Sequence, residues 1–238
     1  MVNQIINGDC FDILPKIEDN SIDLILTDPP YIISKKSFFE GGAENIKFSN
    51  INLDFGEWDK EEIDLDLLFK HYKRILKKGG TLIIFYDIWK SNKIKEAAEN
   101  NGFKQPRIGQ WVKNNPTPIN SKVNYLSNSI EYFFTFVKKG NPTFNSSYDK
   151  GIYNYPLCHG KERTKHPTQK PLGLIKEIIE KHTNEEDIVL DTFGGSGTLA
   201  IACKELNRNY ILVEKDKEYY NISLSRINIY PNEVDKNI

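Results

Sequence analysis

The stretch Ile188-Val-Leu-Asp-Thr-Phe-Gly-Gly-Ser-Gly-Thr198 decides the reading of this chain. Its first four residues form a short apolar run of strand length. A glycine-rich turn follows, and then a helical run from Leu199 to Leu206. A strand, a glycine turn and a helix N-terminus in that order bring backbone close to a ligand and aim free N–H groups at it. About 20 residues further on, the apolar run Tyr210 to Val213 ends at Glu214, where a carboxylate can accept hydrogen bonds from both hydroxyls of a ribose. The combination suits a nucleoside cofactor, although a glycine turn taken alone is equally a tight connection. The glycine spacing matches neither the dinucleotide fingerprint nor the lysine-bearing loop that binds nucleoside triphosphates.

Outward from this unit, short apolar runs recur at Gln4–Ile6, Ile22–Leu26 and Thr81–Tyr86. Apolar residues at helical spacing lie between them, over Glu61–Lys78 and Leu172–Lys181. Strands alternating with amphipathic helices predict an α/β protein built on a mostly parallel sheet. Pro171 suits a first helical position, and Gly79-Gly80 suits a helix end before a strand. Two long stretches lack periodicity, Ile32–Asp59 and Lys138–Lys170, and aperiodic segments of such length are usually functional.

At 238 residues the chain is long enough for one large domain, or one with a modest insertion, around a sizeable core. Its 39% apolar and 27% charged residues exclude wholesale disorder. The most apolar stretch, Thr81 to Trp89, is far shorter than a membrane span, and polar Asn3, Gln4, Asn7 and Asp9 stand where a signal peptide needs an apolar run. A soluble, cytoplasmic protein is expected. Cys10, Cys158 and Cys203 show no metal-ligand spacing, so buried reduced thiols are expected and no metal site. The net charge of −1 conceals an uneven distribution: residues 104–170 carry 11 Lys+Arg against 3 Asp+Glu, interleaved with Trp111, Tyr125, Phe144, Tyr148, Tyr153 and Tyr155. Both a polyanion-binding surface and a solvated basic face have this composition.

The run Ile22–Leu26 leads into Thr27-Asp28-Pro29-Pro30-Tyr31. Two successive prolines remove two backbone donors and fix φ, giving a stiff platform at the carboxyl end of a strand, where ligands of open α/β sheets bind. Asp28 and the Pro29 carbonyl can accept hydrogens from an exocyclic amino group, and Tyr31 can stack on a planar base. An aromatic amine fits such a site.

Asp28-Pro-Pro-Tyr31, together with Asp191-Thr-Phe-Gly-Gly-Ser-Gly-Thr198, resembles the catalytic and cofactor motifs of S-adenosylmethionine-dependent amino-group DNA methyltransferases. His166-Pro-Thr-Gln-Lys-Pro171 is similar to the segment preceding the cofactor motif in the beta subgroup, where the catalytic motif comes first, as here. Gly8-Asp9-Cys10, Leu76-Lys-Lys-Gly-Gly80, Trp111-Val-Lys-Asn-Asn-Pro116 and Glu214 with Tyr219 extend the resemblance along almost the whole chain. Thr192 departs from the proline of the family's more frequent Pro-Phe-x-Gly-Ser-Gly-Thr, in which the residue before the glycine varies; the Gly-Ser-Gly-Thr turn from Gly195 is intact.

The resemblance implies a Rossmann-like class I methyltransferase fold with permuted motif order and helices on both faces. It implies a single domain over residues 1–238, with target-recognition and DNA-contacting segments inserted near 32–59 and 104–165. The catalytic residues are then Asp28, Pro29, Pro30 and Tyr31. S-Adenosylmethionine is then bound by Asp9, Asp28, Thr168, Gln169, Lys170, Asp191, Phe193, Gly195, Ser196, Gly197, Thr198 and Glu214. His166 is open between a ligand role and orienting its loop. Lys113, Lys122, Lys161, Arg163 and Lys165 are the expected DNA contacts. The implied reaction is methyl transfer to adenine N6 in double-stranded DNA after base flipping, with no cysteine nucleophile. Asp28 favours adenine over N4 of cytosine, for which the family tends to use Ser-Pro-Pro-Tyr. A catalytically silent DNA-binding subunit is the alternative of a different class, opposed by the intact motifs. A homodimer and a cognate restriction endonuclease are the implied partners besides DNA.

Overall fold

The computed structural model describes residues 1–30, 63–116 and 126–229. Strands β1 (Gln4–Asn7), β2 (Ile22–Thr27), β3 (Leu76–Phe85), β4 (Phe103–Lys113), β5 (Ile130–Lys138), β6 (Ile152–Tyr155), β7 (Ile188–Asp191) and β8 (Asn209–Glu214) make one sheet in the order β1-β8-β7-β2-β3-β5-β4-β6. The first five in that order are mutually parallel. β5 runs antiparallel to both β3 and β4.

All five apolar runs read from the sequence are strands. Their side chains alternate between two cores, as the pleat requires. Ile25, Leu82, Ile84, Leu190 and Val213 face the layer of α1 (Cys10–Ile13), α2 (Leu65–Ile75) and α3 (Ser91–Asn100). Leu24, Leu26, Ile83, Val189 and Leu212 face α4 (Leu172–His182), α5 (Thr198–Glu205) and α6 (Lys217–Ile229). Helices therefore cover both faces, as expected. No helix among the described residues is long and apolar enough to cross a membrane. Cys10, Cys158 and Cys203 are buried free thiols, and burial pushes Cys10 and Cys158 up to about 12.

Two local expectations are corrected. Pro171 is the residue before α4, and the helix N-terminus is capped by Glu162, whose carboxylate accepts the Leu172 N–H at 2.7 Å. Gly79-Gly80 does not end a helix: α2 stops at Ile75, and both glycines lie inside β3, where the pairing with β2 slips between Ile22 and Leu24. Gly79 has φ +84°, and a Cβ there would lie 2.4 Å from the Asn141 carbonyl oxygen, so chain curvature and close packing explain the pair. The basic segment 104–165 contributes β5, β6 and nearly all of β4 to the main sheet.

Chain order reverses between β2 and β7. From β2 the sheet grows through β3; from β7 it grows the other way through β8 to β1. Ligands of open α/β sheets bind at such a switch point, beyond the carboxyl ends of the strands.

Candidate active site

The residues that leave β2 and β7 meet at this switch point. Thr27 donates its hydroxyl to Asp191 Oδ1 at 2.7 Å and lies 3.3 Å from the Thr192 hydroxyl, which also bonds the phenol of Tyr72 from α2. Asp191 Oδ1 accepts the Phe193 N–H at 3.0 Å as well. Burial, with Asp28 and Glu214 nearby, pushes the Asp191 carboxyl up to about 7 against the pull of its two donors. Thr192, where a proline is more usual, is thus a hydrogen-bonding member of the strand-end network.

The glycine turn is held from three sides. Glu214, at the end of β8, accepts the Gly195 N–H on Oε2 at 2.6 Å and the Asp216 N–H on Oε1 at 2.7 Å, and burial raises its carboxyl above the ordinary range. Arg226 of α6 donates to the Ser196 carbonyl at 2.7 Å and to the Ser196 and Thr198 hydroxyls at 3.0 and 3.1 Å. Gly195 has φ +51°, and a Cβ on it would stand 2.9 Å from His166 Nε2. The turn therefore lies directly on His166. That imidazole meets the Tyr219 ring at 4.4 Å, its Nδ1 has no hydrogen-bond partner among the described residues, and burial with Lys170 and Arg163 alongside pushes its pKa down to about 4.

The third wall is the segment before α4. Gln169 is consumed locally: its Oε1 accepts the backbone and hydroxyl of Thr164 at 2.9 and 2.8 Å, and its Nε2 donates to the Glu162 carbonyl at 2.8 Å. Lys170 crosses to the end of β2 and forms an ion pair with Asp28 Oδ2 while lying 3.3 Å from Glu131 Oε2. Glu131 Oε1 in turn binds Lys113 at 2.8 Å. Asp28 Oδ1 is buried with no hydrogen-bond partner among the described residues. Burial raises the Asp28 carboxyl above its ordinary value, Glu131 adding to that and Lys170 opposing it.

These walls line a cleft of about 450 Å³, a volume that includes space open to solvent. Of the expected site residues, Asp28, Thr168, Gln169, Lys170, Asp191, Phe193, Gly195, Ser196 and Thr198 line it. Gly197 caps α5 beside the cleft, and Glu214 stands behind the turn it holds. Asp9 caps α1, accepting the Phe11 N–H at 2.9 Å, and pairs with Lys215 at 3.0 Å. Pro29 is buried and Pro30 half-buried beside Asp28. Tyr31, Lys122 and the whole of 32–59 lie outside the described residues. Lys161, Arg163 and Lys165 are on the loop that leads to His166 and all three are exposed, whereas Lys113 is 11% exposed and committed to Glu131. Sequence reading missed Glu131, Arg226, Tyr72 and Phe85. The first two are charged residues inside apolar strand and helix patterns, a signal that was present.

Residues 22–225 match a family described as DNA methylase. The Type II methyltransferase M2.MboI of Moraxella bovis is 34% identical over 241 residues, covering 93% of this chain and 86% of that protein. M.HinfI of Haemophilus influenzae is 32% identical over 98% of this chain and 71% of its own length. A crystal structure of an M1.HpyAVI–SAM complex superposes with a TM-score of 0.72 at 33% identity, over 94% of this chain and 98% of that one. The PvuII DNA methyltransferase, cytosine-N4-specific, shares the fold with a TM-score of 0.71 at 19% identity, over 99% of this chain and 87% of its own.

Proposed function

The chain belongs to the DNA methylase family and is an S-adenosylmethionine-dependent DNA methyltransferase, and on that premise we propose that its acceptor is the N6 amine of adenine, swung out of a duplex into the cleft. The observation that carries an exocyclic amine as the acceptor is Asp28 Oδ1, a buried oxygen with no hydrogen-bond partner among the described residues; the aspartate that opens Asp28-Pro-Pro-Tyr31 favours adenine. A buried acceptor without a donor is costly, and a donor supplied by a ligand relieves that cost.

The residues present fit the cofactor. Phe193, Ile175 and Leu199 give the cleft apolar walls, and the Gly195 turn, packed on His166, brings its backbone to the lining. Asp191, partly ionised near pH 7, brings negative charge that suits a cationic group, while the Asp28 charge is matched by Lys170. When bound, S-adenosylmethionine supplies an electrophilic methyl group on a positively charged sulfur. We assign its binding to Thr168, Asp191, Phe193, Gly195, Ser196 and Thr198 at the cleft wall. In this reading Gly197 and Glu214 hold the turn in shape, and Asp9 shapes the edge of the site.

An exocyclic amine conjugated with a purine is a poor nucleophile. Asp28 Oδ1 accepts one of its hydrogens and the Pro29 carbonyl the other, which localises the lone pair and aims it. The gain comes from orientation and electrostatics, without a covalent enzyme intermediate. Tyr31 stacks on the flipped base. Lys161, Arg163 and Lys165 meet the phosphate backbone, while Lys113 serves Glu131. A second copy of this chain and a cognate endonuclease are the partners this reading carries, in the cytoplasm.

Incubation of the chain with methyl-labelled S-adenosylmethionine and genomic duplex DNA, followed by nucleoside analysis, tests the proposal. Label in N6-methyladenine is expected. Label in N4-methylcytosine overturns the adenine assignment.

A further inference from the structure

Asp28 ends in a run of alternating charges: its Oδ2 meets Lys170, Lys170 meets Glu131 at 3.3 Å, and Glu131 meets Lys113 at 2.8 Å. We infer that Glu131 is a positioning residue for the transfer reaction: by sharing the Lys170 ammonium it fixes the rotation of the Asp28 carboxylate and keeps Oδ1 turned to the substrate amine. The inference rests on the assignment of Asp28 as acceptor of that amine.

The fold explains how Glu131 arrives there. β5 enters the sheet antiparallel to β3, so its first residues lie at the edge where β2 and β3 end; the Tyr86 N–H bonds the Tyr132 carbonyl at 3.2 Å. β4, paired with β5 through Trp111 and Glu131, ends on the same edge and delivers Lys113. The lysine side chains are 8% and 11% exposed and the Asp28 and Glu131 side chains 23% and 27%, and the Lys170 ammonium also lies over the Phe85 ring at 4.9 Å, so the run is partly shielded from water.

A lysine ammonium is a compact charge on a flexible stem, and alone it does not dictate how a carboxylate facing it is rotated. With Glu131 on its other side, Lys170 is held between two anions. Burial works against the Glu131 charge, but Lys170 and Lys113 outweigh it and keep that carboxyl below its ordinary value. Glu131 therefore remains an anion where Asp28 needs one. Its charge also reaches Asp28 directly, opposing ionisation there, so that Asp28 keeps more basicity than a pair with Lys170 alone would leave it. The other charged group facing Asp28 among the described residues is Asp191, across β7; His166, facing Lys170, is neutral near pH 7.

Glu131→Gln keeps the shape and removes the charge. The test titrates the Asp28 carboxyl carbon by ¹³C NMR in the full chain without cofactor or DNA, alongside single-turnover transfer to duplex DNA. In the variant the Asp28 midpoint is expected to fall by about half a pH unit or more, because an anion that raised it has gone. The transfer rate is expected to drop about ten-fold or more, as misplacement of a reacting group does, with cofactor affinity kept within about two-fold. Glu131→Asp, which retains the charge, is expected to restore the midpoint. If the Gln variant does not fold, Glu131→Ser, which admits water beside the lysines, makes the same comparison. An unmoved Asp28 midpoint, or an unchanged transfer rate, overturns the inference. Asp28→Ala is run in parallel: persistent transfer in that variant overturns the acceptor assignment itself, so the two failures are told apart.

Discussion

Glu214 Oε2 accepts the Gly195 N–H at 2.6 Å, so the carboxylate that ends β8 holds the turn that follows β7. Its other oxygen holds the Asp216 N–H. A residue expected to touch a ribose is therefore first a clamp on the glycine turn, and each of its oxygens still has a lone pair for a hydroxyl.

Glu214→Ala leaves two backbone donors without acceptors. We expect a stability loss of about 1–3 kcal/mol and weaker S-adenosylmethionine binding by about ten-fold or more. Denaturant unfolding and calorimetry measure the two effects. Unchanged cofactor affinity would remove Glu214 from the cofactor site.

The Asp191 carboxyl stands near 7 in the folded chain, against about 3.9 for an unfolded aspartate. The folded state thus binds this proton more tightly. The stability it contributes is full below about pH 4 and is lost as pH rises through 7. Asn at this position keeps an oxygen for Thr27 and Phe193 and has no charge to bury. Asp191→Asn is expected to flatten the decline in unfolding free energy across that window by up to about 4 kcal/mol. Parallel curves for variant and wild type would count against a buried, proton-binding Asp191.

Gly195→Ala places a Cβ 2.9 Å from His166 Nε2 at φ +51°. The expected cost is about 1–3 kcal/mol, part steric and part backbone. Adding His166→Ala relieves the steric part alone, leaving about 1 kcal/mol. Urea unfolding of the single and double variants reads the difference, and identical losses would show that the imidazole does not bear on the turn.

Neutralising Lys161, Arg163 and Lys165 together is expected to weaken DNA binding and to reduce the slope of log affinity against log salt by roughly one to three units, nearly one for each phosphate no longer neutralised. Cofactor affinity is expected to stay constant. Titrations at several salt concentrations decide this, and an unaltered slope would mean that the loop does not touch the backbone of DNA.

Much of the site was legible because it is built from local signals at strand ends. Ile22–Leu26 before Asp28 and Ile188–Leu190 before Asp191 are apolar runs closed by acidic residues, and a parallel α/β sheet puts such ends on one edge whatever their order in the chain. The glycine turn announced itself in the same way. Misreadings arose where a local signal had a tertiary cause. Gly79-Gly80 resembles a helix stop, but it serves the slip of β3 against β2 and the approach of Asn141.

The sequence by itself determined the α/β alternation, the two strand-end motifs and the glycine turn, because each is written in residues that are neighbours along the chain. Only the tertiary structure decided how the central basic segment is used. Its residues 130–138 enter the sheet antiparallel, which brings Glu131 to Lys170 and spends Lys113 inside the protein. The pairing and register of a strand depend on partners remote in sequence, and charge composition alone does not say whether a lysine faces a phosphate or a buried carboxylate.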